Sequence, residues 1–252
     1  MNMPCCALLF AGLIGLSSIC NAKQLTPEQV TNLYLHTFIN GNSASANTLY
    51  NAIKAEFPGY ADTVSRATVE DLPQDIAAVL IDGQWGNFLD TISDADQKKL
   101  EPASHQFFAA VVTALMRSDC HATHSEKDDN ASFAGQYVVA VQFSCTVPAI
   151  QPDMTKLVKL AAAETPDISA LEKMLRQYSA SLAKAPMNKT IHGQFKLMHM
   201  EQKTWLAHIK GEKLPPETPA SLEKGIWYPT EDGHILPFIV LEVIDREIFS
   251  PL

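Results

Sequence analysis

Apolar positions in this chain change spacing partway along, from helix-like steps of three and four to strand-like alternation. Val30, Leu33, Tyr34 and Phe38 recur at helical intervals. Thr26 ahead of them supplies an N-cap, Pro27 the first helical position, and Glu28-Gln29 a polar first turn. Asn40-Gly41-Asn42 stops that run. A second helix is expected over residues 45–57, ended by Pro58-Gly59, and a third apolar segment over 72–81, cut by Asp82-Gly83. Ser93-Asp94-Ala95-Asp96 introduces a short helix. Residues 102–116 predict a separate one, with Phe107, Val111 and Leu115 at four-residue steps.

The pattern switches near residue 119. Cys120-His121-Ala122-Thr123-His124 and residues 136–147 read as extended, with Asp128-Asp129-Asn130 as a turn between them. Helical spacing returns over 154–164 and 168–182, broken at Pro166, where Leu171, Leu175, Tyr178 and Leu182 line one face. Residues 190–200 and 203–210 alternate apolar with polar and predict an antiparallel pair turning at Glu201-Gln202. In the first of these, Ile191, Gly193, Phe195, Leu197 and His199 share a face, and His192, Gln194, Lys196 and Met198 share the other. Residues 211–219 (GEKLPPETP) read as an exposed linker, and 237–244 (PFIVLEVI) as a central strand.

Helices followed by antiparallel strands define the α+β class: N-terminal helices packed on a curved antiparallel sheet, with a two-helix insertion over 152–184. This element order resembles the cystatin-like or nuclear-transport-factor-like architecture. The resemblance implies helices filling the concave side of the sheet.

The start of the chain adds a destination. Residues 1–22 carry no Asp, Glu, Lys or Arg, hold the apolar run ALLFAGLIGL, and end in Cys20-Asn21-Ala22. Small residues at −3 and −1 after such a run are the pattern of a cleaved signal peptide, leaving residues 23–252 as a single α+β domain. The usual Lys or Arg ahead of the run is missing. An uncleaved anchor would need about 20 apolar residues, more than are present. A lipid-anchored Cys20 would follow a small residue, where Ile19 stands.

Charge narrows the partners. A net charge of −9 at pH 7 gives no basic stripe for nucleic acid and little attraction to an anionic membrane. Stable membrane insertion after cleavage is not expected. Of five cysteines, Cys5, Cys6 and Cys20 leave with the signal. Cys120 and Cys145 remain and predict one disulfide, closing a loop of about 25 residues and contributing on the order of 3 kcal/mol.

Candidate chemistry is sparse. There is no GxSxG elbow, no HExxH and no Gly-rich phosphate loop; Gly83-Gln84-Trp85-Gly86 reads as a turn capped by an aromatic. His121 and His124 lie near Glu126, Asp128 and Asp129 and could hold a divalent ion. Against that, an oxidised Cys120 cannot ligate, and positions i and i+3 of a regular strand point to opposite faces. A solvated strand end is the expectation, with no metal and no cofactor. Met198-His199-Met200 reads as packing rather than a copper site. The acidic pairs Glu70-Asp71, Asp94/Asp96, Asp128-Asp129 and Glu231-Asp232 sit in turns; Glu242 alone lies within an apolar strand run.

Trp85, Trp205, Trp227 and Tyr228, flanked by Gly, Thr or Pro, are the candidate binding aromatics, surface-placed in the binding reading and capping the edge of the core in the alternative, with Glu242 a further binding candidate. The sequons Asn130-Ala131-Ser132 and Asn188-Lys189-Thr190 matter only in a eukaryotic host. The expected function is an exported, soluble, non-catalytic binding or accessory protein of the bacterial envelope, with a protein or small-molecule ligand. The alternative is a periplasmic or secreted hydrolase or isomerase. Its pocket, in the sheet concavity, would use Glu242 or one of His192, His199 and His208.

Overall fold

A capping box opens the first helix. Thr26 Oγ1 accepts from the Gln29 N–H at 3.3 Å, and Gln29 Oε1 accepts from the Thr26 N–H at 2.9 Å, satisfying two donors that a helix start leaves unpaired. The structure, a computed structural model, describes residues 24–57, 70–71, 75, 78, 85–129, 136–149, 154–213 and 215–230. The 1–22 leader, the 237–244 strand run, the Asn130 sequon, and the 72–81 segment apart from Asp75 and Ala78 lie outside them.

Helix α1 (Pro27–Phe38) buries Val30, Tyr34 and Leu35. Helix α2 (Ser43–Glu56) starts two residues earlier than expected because Asn42 caps it, its side chain accepting from the Ser45 N–H at 2.9 Å. Ala46, Leu49 and Ile53 form its buried stripe. After the short α3 (Gly86–Leu89) comes a correction: the two helices expected on either side of Pro102 are one 23-residue helix, α4 (Asp94–Met116). Proline removes one i→i−4 bond, orphaning the Lys98 carbonyl. Pro102 and Lys98 both lie on the exposed side, where water can serve that oxygen. The buried stripe Leu100, Ala103, Phe107, Val111 and Leu115 runs straight through, and packing carries the helix across the proline.

Strands β1 (Asp119–Lys127) and β2 (Val138–Pro148) form a hairpin; then come α5 (Met154–Ala161), α6 (Ile168–Ala183), β3 (Met187–Met200), α7 (Gln202–Ile209), a 3-10 turn at Pro219–Ser221, and β4 (Ile226–Pro229). Among the described residues the sheet is four-stranded and antiparallel in the order β1-β2-β3-β4, so the class is α+β. As expected, two helices are inserted between β2 and β3; α6 packs on α4 and α1 lies against β1.

Residues 203–210 are the second correction: they form α7, not a strand, and β3 pairs instead with β4. The Glu212 N–H bonds the Ala207 carbonyl at 2.9 Å across Gly211, whose φ is +71°. That six-to-one closure around a left-handed glycine is how helices end.

Register sorts the faces. Cys145, Phe143, Val141 and Val139 of β2 stand beside Ile191, Gly193, Phe195 and Leu197 of β3; this face carries the core. The Tyr34 ring of α1 packs on it, 5.9 Å from Phe195. Thr146, Ser144 and Gln142, paired with Thr190, His192 and Gln194, face the other way. A Cβ added to Gly193 would lie 2.2 Å from Phe143 Cζ, so the missing side chain is what lets that ring lie flat on the strand. Cys120 and Cys145 stand directly opposite in the hairpin, Cα atoms 4.0 Å apart, disulfide-bonded and both at 0 % exposure. Among the described residues, no helix is long and apolar enough to cross a membrane.

Candidate functional site

The densest polar chemistry buried in the sheet is at the end of β3. His199 falls on the core face, as its alternation predicts, and is 0 % exposed. Its Nδ1 lies 2.8 Å from Glu217 Oε1, and its Nε2 lies 2.5 Å from the Lys224 carbonyl oxygen. The second carboxylate oxygen of Glu217 accepts the Tyr137 N–H at 2.9 Å, and the Tyr137 carbonyl accepts the His199 N–H at 2.8 Å. Trp227 pairs with His199 across β3 and β4, with ring centroids 5.5 Å apart; Tyr137 meets Trp227 edge-on at 6.2 Å.

Backbone geometry holds this knot against the sheet. Gly225 has φ +94°, and a Cβ there would lie 2.3 Å from the Met200 carbonyl oxygen; only glycine fits so close an approach. Gln24 Nε2 donates to the Gly225 carbonyl at 3.1 Å, tying in the segment ahead of α1. The stretch from Glu217 to Gly225 is thus a strap fastened across the end of β3.

Hydrogen-bond direction limits what His199 can do. A carbonyl only accepts, so Nε2 carries a proton and donates it to Lys224. One further proton lies between Nδ1 and Glu217 Oε1. A general base needs a free lone pair within reach of substrate. Here both ring nitrogens are committed and the ring is fully enclosed, so the dyad orients and clamps.

The sequence-predicted residues do not converge here. Trp85 is half-buried, donates from Nε1 to Ser104 Oγ at 2.9 Å, and packs on Phe88 and Phe108 with centroids 5.0 and 6.1 Å away. Trp205 lies on α7, partly buried against the core. Trp227 and Tyr228 are not at the surface, where the binding reading puts them; they are 8 % and 6 % exposed because β4 aligns them with His199 and Met198. Only Trp227 belongs to the knot. Glu242 lies outside the described residues. His192 is exposed on the opposite sheet face, and His208 sits on α7. Glu217, which the sequence hides inside an apparent linker, is the residue that reasoning from sequence missed; an acid in a Pro-rich stretch carries no signal of its partner.

One more expectation fails, at β1. Register passes from Ala122↔Phe143 to His124↔Gln142, leaving Thr123 as an extra residue. This bulge resets the alternation. His121 and His124 therefore share the outer face, and both are exposed.

Elsewhere, Asp128, in what reads as an open turn, has its carboxylate 2.7 Å from Lys196 Nζ with 9 % side-chain exposure. Burial, and to a lesser degree Tyr228, raises the Tyr34 hydroxyl well above the usual tyrosine value. A shallow depression along α6, lined by Ser169, Glu172 and Arg176, includes none of the knot residues. Among the described residues, no group of three or more His, Cys, Asp or Glu side chains could hold a metal ion. Comparison with family models, curated proteins and solved structures finds no match.

Proposed function

We propose that this chain is an exported binding protein of the bacterial envelope, stabilised by its disulfide and acting by holding a protein or small-molecule ligand. The observation that carries the reading is the Cys120–Cys145 bridge, buried at 0 % exposure and in register within the β1–β2 hairpin. Bridges of this kind form and persist where the compartment is oxidising. The apolar, uncharged residues 1–22 supply the route there. Binding rather than turnover is supported by His199, one of the three histidines of the rival hydrolase or isomerase reading, because both its ring nitrogens are consumed inside the fold.

The test is expression of the full chain in a Gram-negative host, followed by osmotic-shock fractionation and intact mass spectrometry. The expected species begins at Lys23, lies in the shock fluid, and is lighter by two hydrogens than the reduced chain. Retention of Met1, or alkylation of both remaining thiols without reductant, overturns the proposal. Turnover in a hydrolase and isomerase panel that is lost in His199→Gln would favour the enzyme.

A further inference from the structure

The bulge in β1 creates an arrangement the alternation of the sequence forbids. His121 pairs with Ser144 and His124 with Gln142, and those β2 residues lie two apart on the outer face. The two imidazoles are therefore neighbours along one exposed face, opposite β2 residues whose Cα atoms are about 7 Å apart by strand rise. Glu126 follows on the same face, opposite Ala140, and is itself exposed. The adjacent sulfur is excluded as a ligand: Cys120 is oxidised and faces the core.

Thr123, the extra residue of the bulge, favours one tautomer of His124. Its hydroxyl has one proton, which it donates to the Gln142 carbonyl at 3.1 Å. The contact between Thr123 Oγ1 and His124 Nδ1 at 3.3 Å must then be a bond from the ring to the hydroxyl. In the neutral ring the lone pair is left on Nε2. A ligating histidine is commonly set up this way, with one nitrogen held as a donor and the other free for metal.

We infer that His121 and His124 form a two-imidazole site for a divalent transition-metal ion, with copper(II) preferred. Imidazole suits copper, zinc and nickel, and at a given nitrogen site copper(II) binds tightest of the divalent series. Only two protein ligands are supplied, so the remaining coordination positions stay open to water or to an exchangeable ligand. Binding is accordingly reversible, and the ion is a surface passenger rather than a structural element. The inference does not depend on export, so its failure and the failure of the proposed function are separately visible.

Copper(II) chloride titrated into the oxidised protein by calorimetry, with parallel electron paramagnetic resonance, tests it. One equivalent should bind, with hyperfine structure from two nitrogens. His121→Ala and His124→Ala should each weaken binding by about tenfold or more, and Thr123→Val, which keeps both rings, should weaken it by a comparable factor, as loss of an outer-shell partner does. His192→Ala and His105→Ala should bind like the parent, and unchanged melting curves confirm that the exposed-site variants fold. No saturable binding, undiminished affinity in any of the three β1 variants, or loss of binding in His192→Ala overturns the inference.

Discussion

Replacing Gly193 with alanine measures how firmly the Phe143 ring is held. An alanine Cβ would lie 2.2, 2.7 and 2.9 Å from three atoms of that ring. Phe143 is 1 % exposed, so the ring has no solvent to move into. Overpacking of this kind costs about 1–3 kcal/mol, and three overlaps against an enclosed ring place it in the upper half, about 2–3 kcal/mol. Alanine recovers about 0.5–1 kcal/mol of backbone entropy that glycine loses on ordering. The net expectation is a loss of about 1–2.5 kcal/mol, or roughly 2–10 °C in Tm for a chain of this size. Urea unfolding of the oxidised protein, followed by tryptophan fluorescence, reads it directly. Phe143→Leu alone should cost less than the ~3–5 kcal/mol of a full truncation. In that background Gly193→Ala should become neutral or slightly stabilising, because the obstructing ring is gone. Equal costs in both backgrounds, or no cost in the parent, would refute the argument that the ring occupies the missing side chain's space.

Three further outcomes are expected. Glu217→Ala strands the His199 Nδ1 and the Tyr137 N–H in the interior and should lower stability by about 3–5 kcal/mol, while Glu217→Gln, which still accepts from Tyr137, should cost less; urea midpoints separate the two, and an effect below about 1 kcal/mol for the alanine variant would mean the strap is not clamped. Replacing both Cys120 and Cys145 with alanine should cost about 3.5 kcal/mol by the loop-entropy relation, read as a fall in urea midpoint against the oxidised parent. Burial opposes ionisation of Glu28, but hydrogen bonds from Ser125, its own backbone and Thr26 outweigh it and hold the carboxyl below its ordinary value of 4.5. A depressed carboxyl contributes stability above its unfolded value and loses it as pH falls through the folded one. Ser125→Ala should therefore raise the Glu28 titration midpoint in a carboxyl-detected NMR titration; an unchanged midpoint would remove Ser125 as the cause.

Local signals were legible where chemistry and periodicity agreed. The Thr26/Gln29 box, the Leu171–Leu175–Leu182 stripe and the paired Cys120 and Cys145 all sit where the sequence puts them, because each depends on neighbours or on simple alternation. Pro102 misled because propensity argues for a break while the buried stripe on either side argues for continuity, and burial outweighs propensity there. Residues 203–210 misled because eight residues satisfy both periods; Gly211, read as the start of a linker, was in fact the helix stop. Trp227 and Tyr228 were misplaced because loop-like flanks say nothing of the register that β4 adopts. The His199–Glu217 pair joins residues 18 apart through a turn with no periodic signal, and no local rule could have paired them. His121 and His124 were assigned to opposite faces by assuming a regular strand, which a single inserted residue undoes.

The bridge between β1 and β2 also settles a question of phase. Sliding one strand of a hairpin past the other by one place exchanges its oily and wet sides wholesale. With the two sulfurs joined at directly facing positions, that slide is barred even when the rest of the sheet has come apart. A chain that has lost its helices would still know which side of this ribbon belongs indoors.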